Sequence, residues 1–250
     1  MPVLTSGQQE RKSKQRKIRN SEYYDMEGTF DRLYAESKRN KTFNHLMEII
    51  ESEENIKLAY RTIKKNTGSD TSGVDKRTIA DLAKLSEEAY VRLIRKQFSN
   101  YHPRPVRRVE IPKPNGKTRL LGIPIIVDRI VQQCILQVME PICEAKFSEN
   151  SNGFRPNRST ETAIAQCMRL IQVQHLYHVV DLDIKGFFDN ISHTKLIRQI
   201  WALGIRDKKL LCIIKEMLKH LLFCQMGRKH IPHGVLRKAV FYRHCLQISY

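Results

Sequence analysis

The sequence predicts an α+β fold in which helices dominate and strands are few. Apolar side chains recur every three or four residues over most of the chain after Phe43, as on the buried face of a helix. Residues 106–123 instead indicate a β-hairpin, because Asn115-Gly116, a preferred pair for a tight primed turn, separates two short strand-like flanks. A run of β-branched residues after Tyr177 indicates one further strand. With 250 residues, of which 41% are hydrophobic, the chain is large enough to bury a core.

The charge of the chain indicates a polyanionic partner. Its 44 lysines and arginines against 26 acidic residues give a formal net charge of +18, which favours nucleic acid as that partner. An acidic membrane surface is the competing interpretation, and it ranks lower because no segment resembles an amphipathic membrane helix with an apolar anchor. No apolar run is long enough to cross a bilayer, so we expect no membrane partner.

The cysteines and the N-terminus both favour a cytoplasmic protein. The six cysteines lie mostly within apolar helical patterns and form no CxxC pair, which predicts buried free thiols rather than zinc ligands or disulfides. The first ten residues lack the apolar segment of a secretory signal. Residues 1 to about 20 are polar and basic, and we expect a solvated tail that can still bind phosphates electrostatically.

Helices are predicted on both sides of a loop at residues 66–73. Two groups of apolar residues mark the helices before it: Leu46, Ile49 and Ile50, then Ile56, Leu58, Ala59 and Ile63. After the loop, a helix is expected over residues 87–98. The hairpin follows, and its basic side chains are Arg107, Arg108, Lys113, Lys117 and Arg119. Such a hairpin suits a triphosphate or a nucleic-acid backbone, and a charged, solvated edge hairpin is an equally good interpretation of these residues alone.

A long helix over residues 126–146, bent at Pro141, is expected to lead into a loop at residues 152–159. Ser159 or Thr160 can cap the next helix. That helix is expected to bury Ala163, Ile164, Cys167 and Ile171. Arg155 and Arg158 place donor-rich side chains just ahead of its first turn, where an anion is favoured.

An acidic stretch follows Tyr177. Asp181 and Asp183 lie two residues apart in the predicted strand and therefore share one face of an extended chain. A third carboxylate, Asp189, comes after Gly186 and two aromatic residues. Carboxylates at the end of a buried strand are costly without a positive partner, and Mg²⁺, which prefers hard oxygen ligands, is the obvious candidate.

Three interpretations of this stretch remain open from the residues alone. Two-metal nucleotidyl transfer uses carboxylates to hold the ions that activate the attacking oxygen. A phosphatase of the haloacid-dehalogenase kind uses the first aspartate as nucleophile and the second as general acid, although Lys185 stands where that class usually has Thr or Val. The third interpretation is structural, with aspartates that cap turns at the end of a strand.

Two helices are predicted after the acidic stretch. Ser192 can cap the first, which continues through Leu196 and Ile200 and ends at Gly204. Asp207 can begin the second. Its apolar face comprises Leu210, Leu211, Ile214, Met217, Leu218 and Leu221.

Three blocks have a recognisable order and spacing. They run from Arg107 to Gln132, from Gly153 to Ser159, and from Asp183 to Ile191 with Ser-His after it. Together they resemble the reverse transcriptases encoded by group II introns, also called maturases, and residues 59–75 resemble the extra N-terminal block of that family. The resemblance covers residues 43–222 or thereabouts. It implies the fingers of a right-hand polymerase, with the basic β-hairpin, and an incomplete palm.

The resemblance implies an RNA-directed DNA polymerase that adds deoxynucleoside triphosphates to a DNA primer on an RNA template by two-metal catalysis with Mg²⁺. Asp183 matches the first catalytic metal ligand of the family, and the Ile184 carbonyl often completes the coordination. Phe188 matches the aromatic steric gate that disfavours a 2′-hydroxyl. Lys113 and Arg119 match the finger residues that grip the triphosphate.

Other positions carry less of the resemblance. Arg155 belongs to the Gly-Phe-Arg-Pro block, which in the family sits near template and nucleotide. Asp181 stands where the family more often has Glu or a small residue, so we expect a supporting acid rather than the first ligand. Plainer alternatives are a core role for Phe188, a solvated Lys113, and an Arg155 that only ties its loop to its own backbone.

The pattern departs from the family towards residue 250. Where the family has Gly-Thr-Pro-Gln-Gly-Gly, residues 230–236 read His-Ile-Pro-His-Gly-Val-Leu. The family completes its metal site with Tyr-Ala-Asp-Asp, whereas no Asp-Asp pair occurs in this chain. We therefore expect a basic tail at residues 1–42, fingers at 43–176, a partial palm at 177–222 and a divergent tail at 223–250, with the C-terminal thumb absent.

A frameshift or premature stop would explain this departure, and a chain so truncated is expected to be inactive alone. The alternative function is a non-catalytic module that binds group II intron RNA and assists splicing. A decaying gene product that folds poorly is a third interpretation, because half a palm leaves sheet edges and apolar surface uncovered.

Overall fold

The computed structural model describes residues 20–112, 116, 118–153, 155–182 and 192–226. Within these residues the chain forms the following elements: α1 (Asn20–Tyr23), α2 (Glu27–Lys38), α3 (Leu46–Ile50), α4 (Glu53–Lys65), α5 (Ile79–Leu82), α6 (Glu87–Ser99), β1 (Arg107–Pro112), β2 (Thr118–Ile123), α7 (Ile126–Glu144), α8 (Thr160–Gln172), α9 (His193–Ala202) and α10 (Lys208–Met226). The predicted mixture of many helices and a small sheet is confirmed. No helix in this part of the chain is both long and apolar enough to cross a membrane.

The core is built around α7. This helix is apolar on nearly every side, as expected for a helix with neighbours all round, and it contacts α2, α3, α4 and α6. Ile130, Ile135 and Ile142 are completely buried along its length. Pro141 lies within it, where the sequence predicts a bend, and the helix continues to Glu144.

Buried polar side chains join the helices around α7. Asn55 donates Nδ2 hydrogen bonds to the carbonyls of Ile50 (2.9 Å) and Cys134 (3.1 Å), and Gln137 donates from Nε2 to the Asn55 carbonyl (2.7 Å). Ser37 of α2 donates its hydroxyl to the Ile142 carbonyl at 2.8 Å. These bonds satisfy polar groups that would otherwise be costly to bury.

The predicted β-hairpin is confirmed. β1 and β2 pair antiparallel, with Arg107 opposite Ile123 and Pro112 opposite Thr118. Gly116 lies between the strands with φ +74°, a left-handed conformation that glycine adopts without strain. Asn115 and Lys117 lie outside the described residues.

The predicted caps of α8 and α9 are also confirmed. The Ser159 and Ser192 hydroxyls accept hydrogen bonds from the backbone N–H groups of Thr162 and Lys195, three residues further on. Gly204 follows α9 with φ +99°, and a Cβ at this position would lie 2.8 Å from the Lys41 carbonyl oxygen. The backbone therefore requires glycine here.

Asp207 joins α3 to α10. It is buried, its Oδ2 accepts a hydrogen bond from the Met47 N–H (2.9 Å) in α3, and its Oδ1 accepts one from the Leu210 N–H (3.1 Å) in α10. One carboxylate thus caps two helices that lie 160 residues apart in sequence. The sequence predicts only the second of these bonds.

Residues 20–42, which the sequence assigns to the basic tail, contain two helices. Leu33 and Ser37 of α2 are buried against the core. The apolar face of this helix is short and includes a buried serine, so the spacing of apolar residues does not reveal it. Residues 1–19 lie outside the described part of the chain.

The expected burial of α8 is wrong. None of its residues is buried, and Ile164 is 57% exposed although it was expected to be a core residue. Cys167, expected to be a buried thiol, is exposed, as is Cys212 of α10, while Cys134 and Cys143 are buried as predicted. An amphipathic pattern shows that a helix has an apolar face, but only tertiary contacts decide whether that face is covered.

The buried strand expected after Tyr177 is not present in the described residues up to 182. Residues 175–182 have no regular secondary structure, and Val179, Val180 and Leu182 are 82%, 78% and 87% exposed. β-Branched composition favours a strand, but a strand also needs a neighbour that accepts and donates its backbone hydrogen bonds. None of the described residues pairs with this segment.

Candidate active site

The predicted catalytic residues lie largely outside the described part of the chain. Asp183, Ile184, Phe188 and Lys113 are not among its residues. For Arg119 the structure describes the backbone alone, on β2 opposite Ile111. Their roles as metal ligands, steric gate and triphosphate-binding residues stay predictions.

Asp181 is the predicted supporting acid that the structure describes. It is exposed, and so are its neighbours Val180 and Leu182. A single exposed carboxylate does not make a Mg²⁺ site, which takes several oxygen ligands. Across the described ranges, no group of three or more His, Cys, Asp or Glu side chains is arranged to hold a metal ion.

Arg155 is fully engaged within the protein. Its Nε donates to both carboxylate oxygens of Glu144 at 3.0 Å, and its Nη2 contacts Oε1 of the same residue at 2.6 Å. Its Nη1 donates to the carbonyls of Ser148 (2.5 Å) and Ser151 (2.9 Å), and the guanidinium lies 5.5 Å from the centre of the Phe147 ring. With 6% of the side chain exposed, Arg155 ties its loop to the end of α7. This is the plainer of the two roles that the sequence allows, and contact with a nucleotide stays a prediction.

The two faces of β1 differ in exposure. Arg107, Val109 and Ile111 are half-buried, whereas Arg108 and Glu110 are exposed. This alternation is that of a strand with one face against the protein and one towards solvent. The predicted basic hairpin therefore presents Arg108 outwards, while Arg107 is directed towards the body of the protein.

A buried acid lies beside the root of the hairpin. Asp128, in the first turn of α7, is 1% exposed, and its Oδ2 accepts a hydrogen bond from the backbone N–H of Arg104 at 2.9 Å. Burial raises the pKa of this carboxyl from its ordinary 3.8 to about 6, although the Arg104 N–H, the Tyr101 hydroxyl and the Arg104 charge lower the pKa in part. The sequence assigns no role to Asp128, and the available signal was a charged Asp-Arg pair inside an apolar helical pattern.

Comparison with known families identifies one family model. Residues 111–240 match the model described as "Reverse transcriptase (RNA-dependent DNA polymerase)". This range contains the second half of the hairpin, the Arg155 loop and the acidic stretch. It also extends into the segment after residue 222, where the sequence departs from the motifs named above.

Individual proteins are similar over a larger part of the chain. The "Group II intron-encoded protein LtrA" of Lactococcus lactis subsp. cremoris is 35% identical over 194 residues, which cover 76% of this chain and 31% of that protein. The "Protein YkfC" of Escherichia coli (strain K12) is 34% identical over 203 residues, 78% of this chain and 50% of its own length. "Nuclear intron maturase 1, mitochondrial" of Arabidopsis thaliana is 31% identical over 96 residues, 38% of this chain and 13% of that protein. The chain thus spans half or less of the length of each of these relatives.

Proposed function

Since the chain belongs to the reverse transcriptase (RNA-dependent DNA polymerase) family, among the group II intron-encoded proteins and intron maturases, we propose that it forms the template-binding and nucleotide-binding part of an RNA-directed DNA polymerase. The observation that carries the proposal is the family match over residues 111–240, which includes the second half of the hairpin, the Arg155 loop and the acidic stretch in one run. The net charge of +18 supports a nucleic-acid partner. An RNA template, a DNA primer or target and deoxynucleoside triphosphates are the substrates that follow.

The proposed site combines a triphosphate grip with an acidic metal ligand. Lys113 and Arg119 would hold the phosphates, since ammonium and guanidinium groups bind phosphate oxygens. Phe188 would pack against the sugar and disfavour a 2′-hydroxyl. The Asp183 carboxylate and the Ile184 carbonyl are oxygen ligands of the kind that Mg²⁺ takes.

We do not expect this chain to polymerise by itself. Two-metal transfer needs several carboxylates that converge on the ions, and the chain offers Asp183 with Asp181 nearby and no Asp-Asp pair. Arg155 would hold its loop in place near template and nucleotide through the bonds that it donates to Glu144, Ser148 and Ser151.

Primer extension tests this proposal. The purified chain is incubated with an RNA template, an annealed DNA primer, deoxynucleoside triphosphates and Mg²⁺, with Asp183→Ala as the matched control. We expect no extension product from either protein, together with RNA binding that weakens steeply as salt rises. Mg²⁺-dependent extension by the wild-type chain that Asp183→Ala abolishes would show that the chain is a polymerase by itself.

A second candidate function is a non-catalytic module that binds group II intron RNA and assists splicing. The observation that favours it is the combination of a strongly basic chain with similarity to an intron maturase. Competition binding would test it, with a structured group II intron RNA against a random RNA of equal length. Preference for the intron RNA is expected, and equal affinity for both would argue against a specific role in splicing.

A further inference from the structure

The chain that enters the hairpin is held by Asp128. Arg104, whose backbone N–H donates to the Asp128 carboxylate, lies three residues before β1 begins. A buried carboxylate is costly unless its oxygens accept hydrogen bonds, so the position of the Arg104 backbone and the burial of Asp128 depend on each other.

The chain that leaves the hairpin is held by the next residue, Arg129. Its Nε donates to the carbonyl of Pro124, which directly follows β2, at 3.2 Å. Its Nη1 donates to the Gly68 carbonyl at 2.8 Å, and its Nη2 donates to the Thr71 carbonyl. A guanidinium carries five N–H donors in a fixed planar fork, so one arginine can hold three carbonyls at once, whereas the single nitrogen of a lysine cannot reach all three.

The loop that Arg129 reaches, residues 66–78, is fixed at two further points. Arg107 of β1 donates from Nε to the Ser72 carbonyl at 2.9 Å. A Cβ at Gly73 would lie 2.7 Å from Cα of Ile125, so the loop backbone touches the connection between β2 and α7. The loop, both roots of the hairpin and the start of α7 are therefore joined into one unit.

Cationic side chains lie on the solvent side of this unit. Lys76 and Arg77 are exposed in the loop, and Arg104 is exposed at the root of the hairpin. Exposed cations fixed relative to one another are the arrangement that contacts successive phosphates of a nucleic acid.

We propose that Asp128 and Arg129 are positioning residues, which hold the loop at residues 66–78 and the roots of the β1–β2 hairpin as one phosphate-binding surface for RNA. The choice of RNA as the ligand rests on the proposed function. The hydrogen bonds that join the two segments do not, and they can be tested without RNA.

Hydrogen–deuterium exchange of the whole chain tests the joining of the segments. Arg129→Lys keeps the charge but removes the fork, and Arg95→Lys is the matched control, because Arg95 is an exposed arginine whose Nε donates to the Glu51 carbonyl at 3.0 Å away from the hairpin. Arg129→Lys is expected to speed exchange in residues 66–75 and 104–112 while α10 exchanges as in the wild type. Arg95→Lys is expected to leave the exchange of both segments unchanged.

RNA binding tests the presentation of the surface. Fluorescence anisotropy with a labelled single-stranded RNA is expected to show an affinity about tenfold lower for Arg129→Lys. The slope of log K against log salt should be smaller by about 0.7 for each phosphate that the variant no longer binds. Asp128→Ala is expected to behave in the same way. Asp128→Asn is expected to retain the wild-type affinity, because its amide oxygen can still accept from the Arg104 N–H.

The outcomes separate this inference from the proposed function. Unchanged exchange in Arg129→Lys would overturn the joining of the segments. Faster exchange with unchanged RNA affinity and salt slope would overturn their role as one surface. A wild-type chain that binds no RNA would overturn the proposed function and the RNA-presenting role together, while the exchange comparison would still decide whether Asp128 and Arg129 join the segments.

Discussion

Replacing Asp128 with asparagine should change how the stability of the fold depends on pH. The carboxyl is buried and its pKa is raised from 3.8 to about 6, so the folded state holds this proton more tightly than the unfolded chain does. A group of this kind contributes stability that is fully present below the unfolded pKa and is lost as pH rises through the folded pKa. As pH rises from well below 3.8 to well above 6, the wild-type free energy of unfolding should therefore fall by about 3 kcal/mol on account of this one residue.

Asparagine removes the charge and keeps an oxygen that can accept from the Arg104 N–H. It also buries an amide N–H₂ group, whose lost hydration costs about 1–2 kcal/mol. At about pH 7.5 the variant should accordingly be more stable than the wild type by about 1–2 kcal/mol. Below pH 4, where Asp128 is protonated, the free energy of unfolding of the wild type should equal or exceed that of the variant.

Urea denaturation followed by circular dichroism measures this difference at several pH values. Asp31→Asn is a suitable control, because it makes the same substitution at an exposed carboxylate on α2. An Asp128→Asn variant whose stability follows the wild-type pH curve would refute the reasoning. So would a variant that is less stable than the wild type at every pH.

Three further substitutions test separate parts of the structure. Asp207→Ala removes the caps of α3 and α10 together and should lower the free energy of unfolding, measured by urea denaturation, by about 2–4 kcal/mol. A loss no larger than that of the exposed control Asp31→Asn would contradict the double cap. Arg155→Ala leaves the half-buried Glu144 carboxylate without its partner and should make residues 147–158 more sensitive to limited proteolysis. A digestion pattern identical to that of the wild type would show that Arg155 does not hold this loop. Leu182→Ser removes an 87% exposed apolar side chain and should reduce the binding of an apolar dye without changing the midpoint of urea unfolding. A lowered midpoint would mean that Leu182 is packed against the protein.

The sequence predicts those features of the fold that depend on neighbouring residues, namely the hairpin turn and the helix ends. The Asn115-Gly116 pair indicates the hairpin, and Ser159, Ser192 and Gly204 mark helix ends, because caps and turns depend on residues only a few positions apart. Burial depends on partners elsewhere in the chain. The apolar face of α8 was therefore expected in the core, although it meets no covering element among the described residues.

The residues around the hairpin root show the same limit. Arg129 contacts the Gly68 carbonyl across 61 positions, and Asp128 contacts the Arg104 N–H across 24. No local pattern states that a charged side chain will meet a distant backbone group. The sequence shows only that two charged residues, Asp128 and Arg129, lie in the first turn of an apolar helix. Their contacts with the hairpin root and the loop become visible only in the fold.

We propose above that the basic chain binds RNA. The most direct test is the affinity of the wild-type chain for single-stranded RNA as a function of salt concentration. If the basic surface binds about six phosphates, affinity should fall by about 300-fold between 50 and 200 mM salt, with a linear plot of log K against log salt. No binding at low salt, or an affinity that does not change with salt, would contradict it.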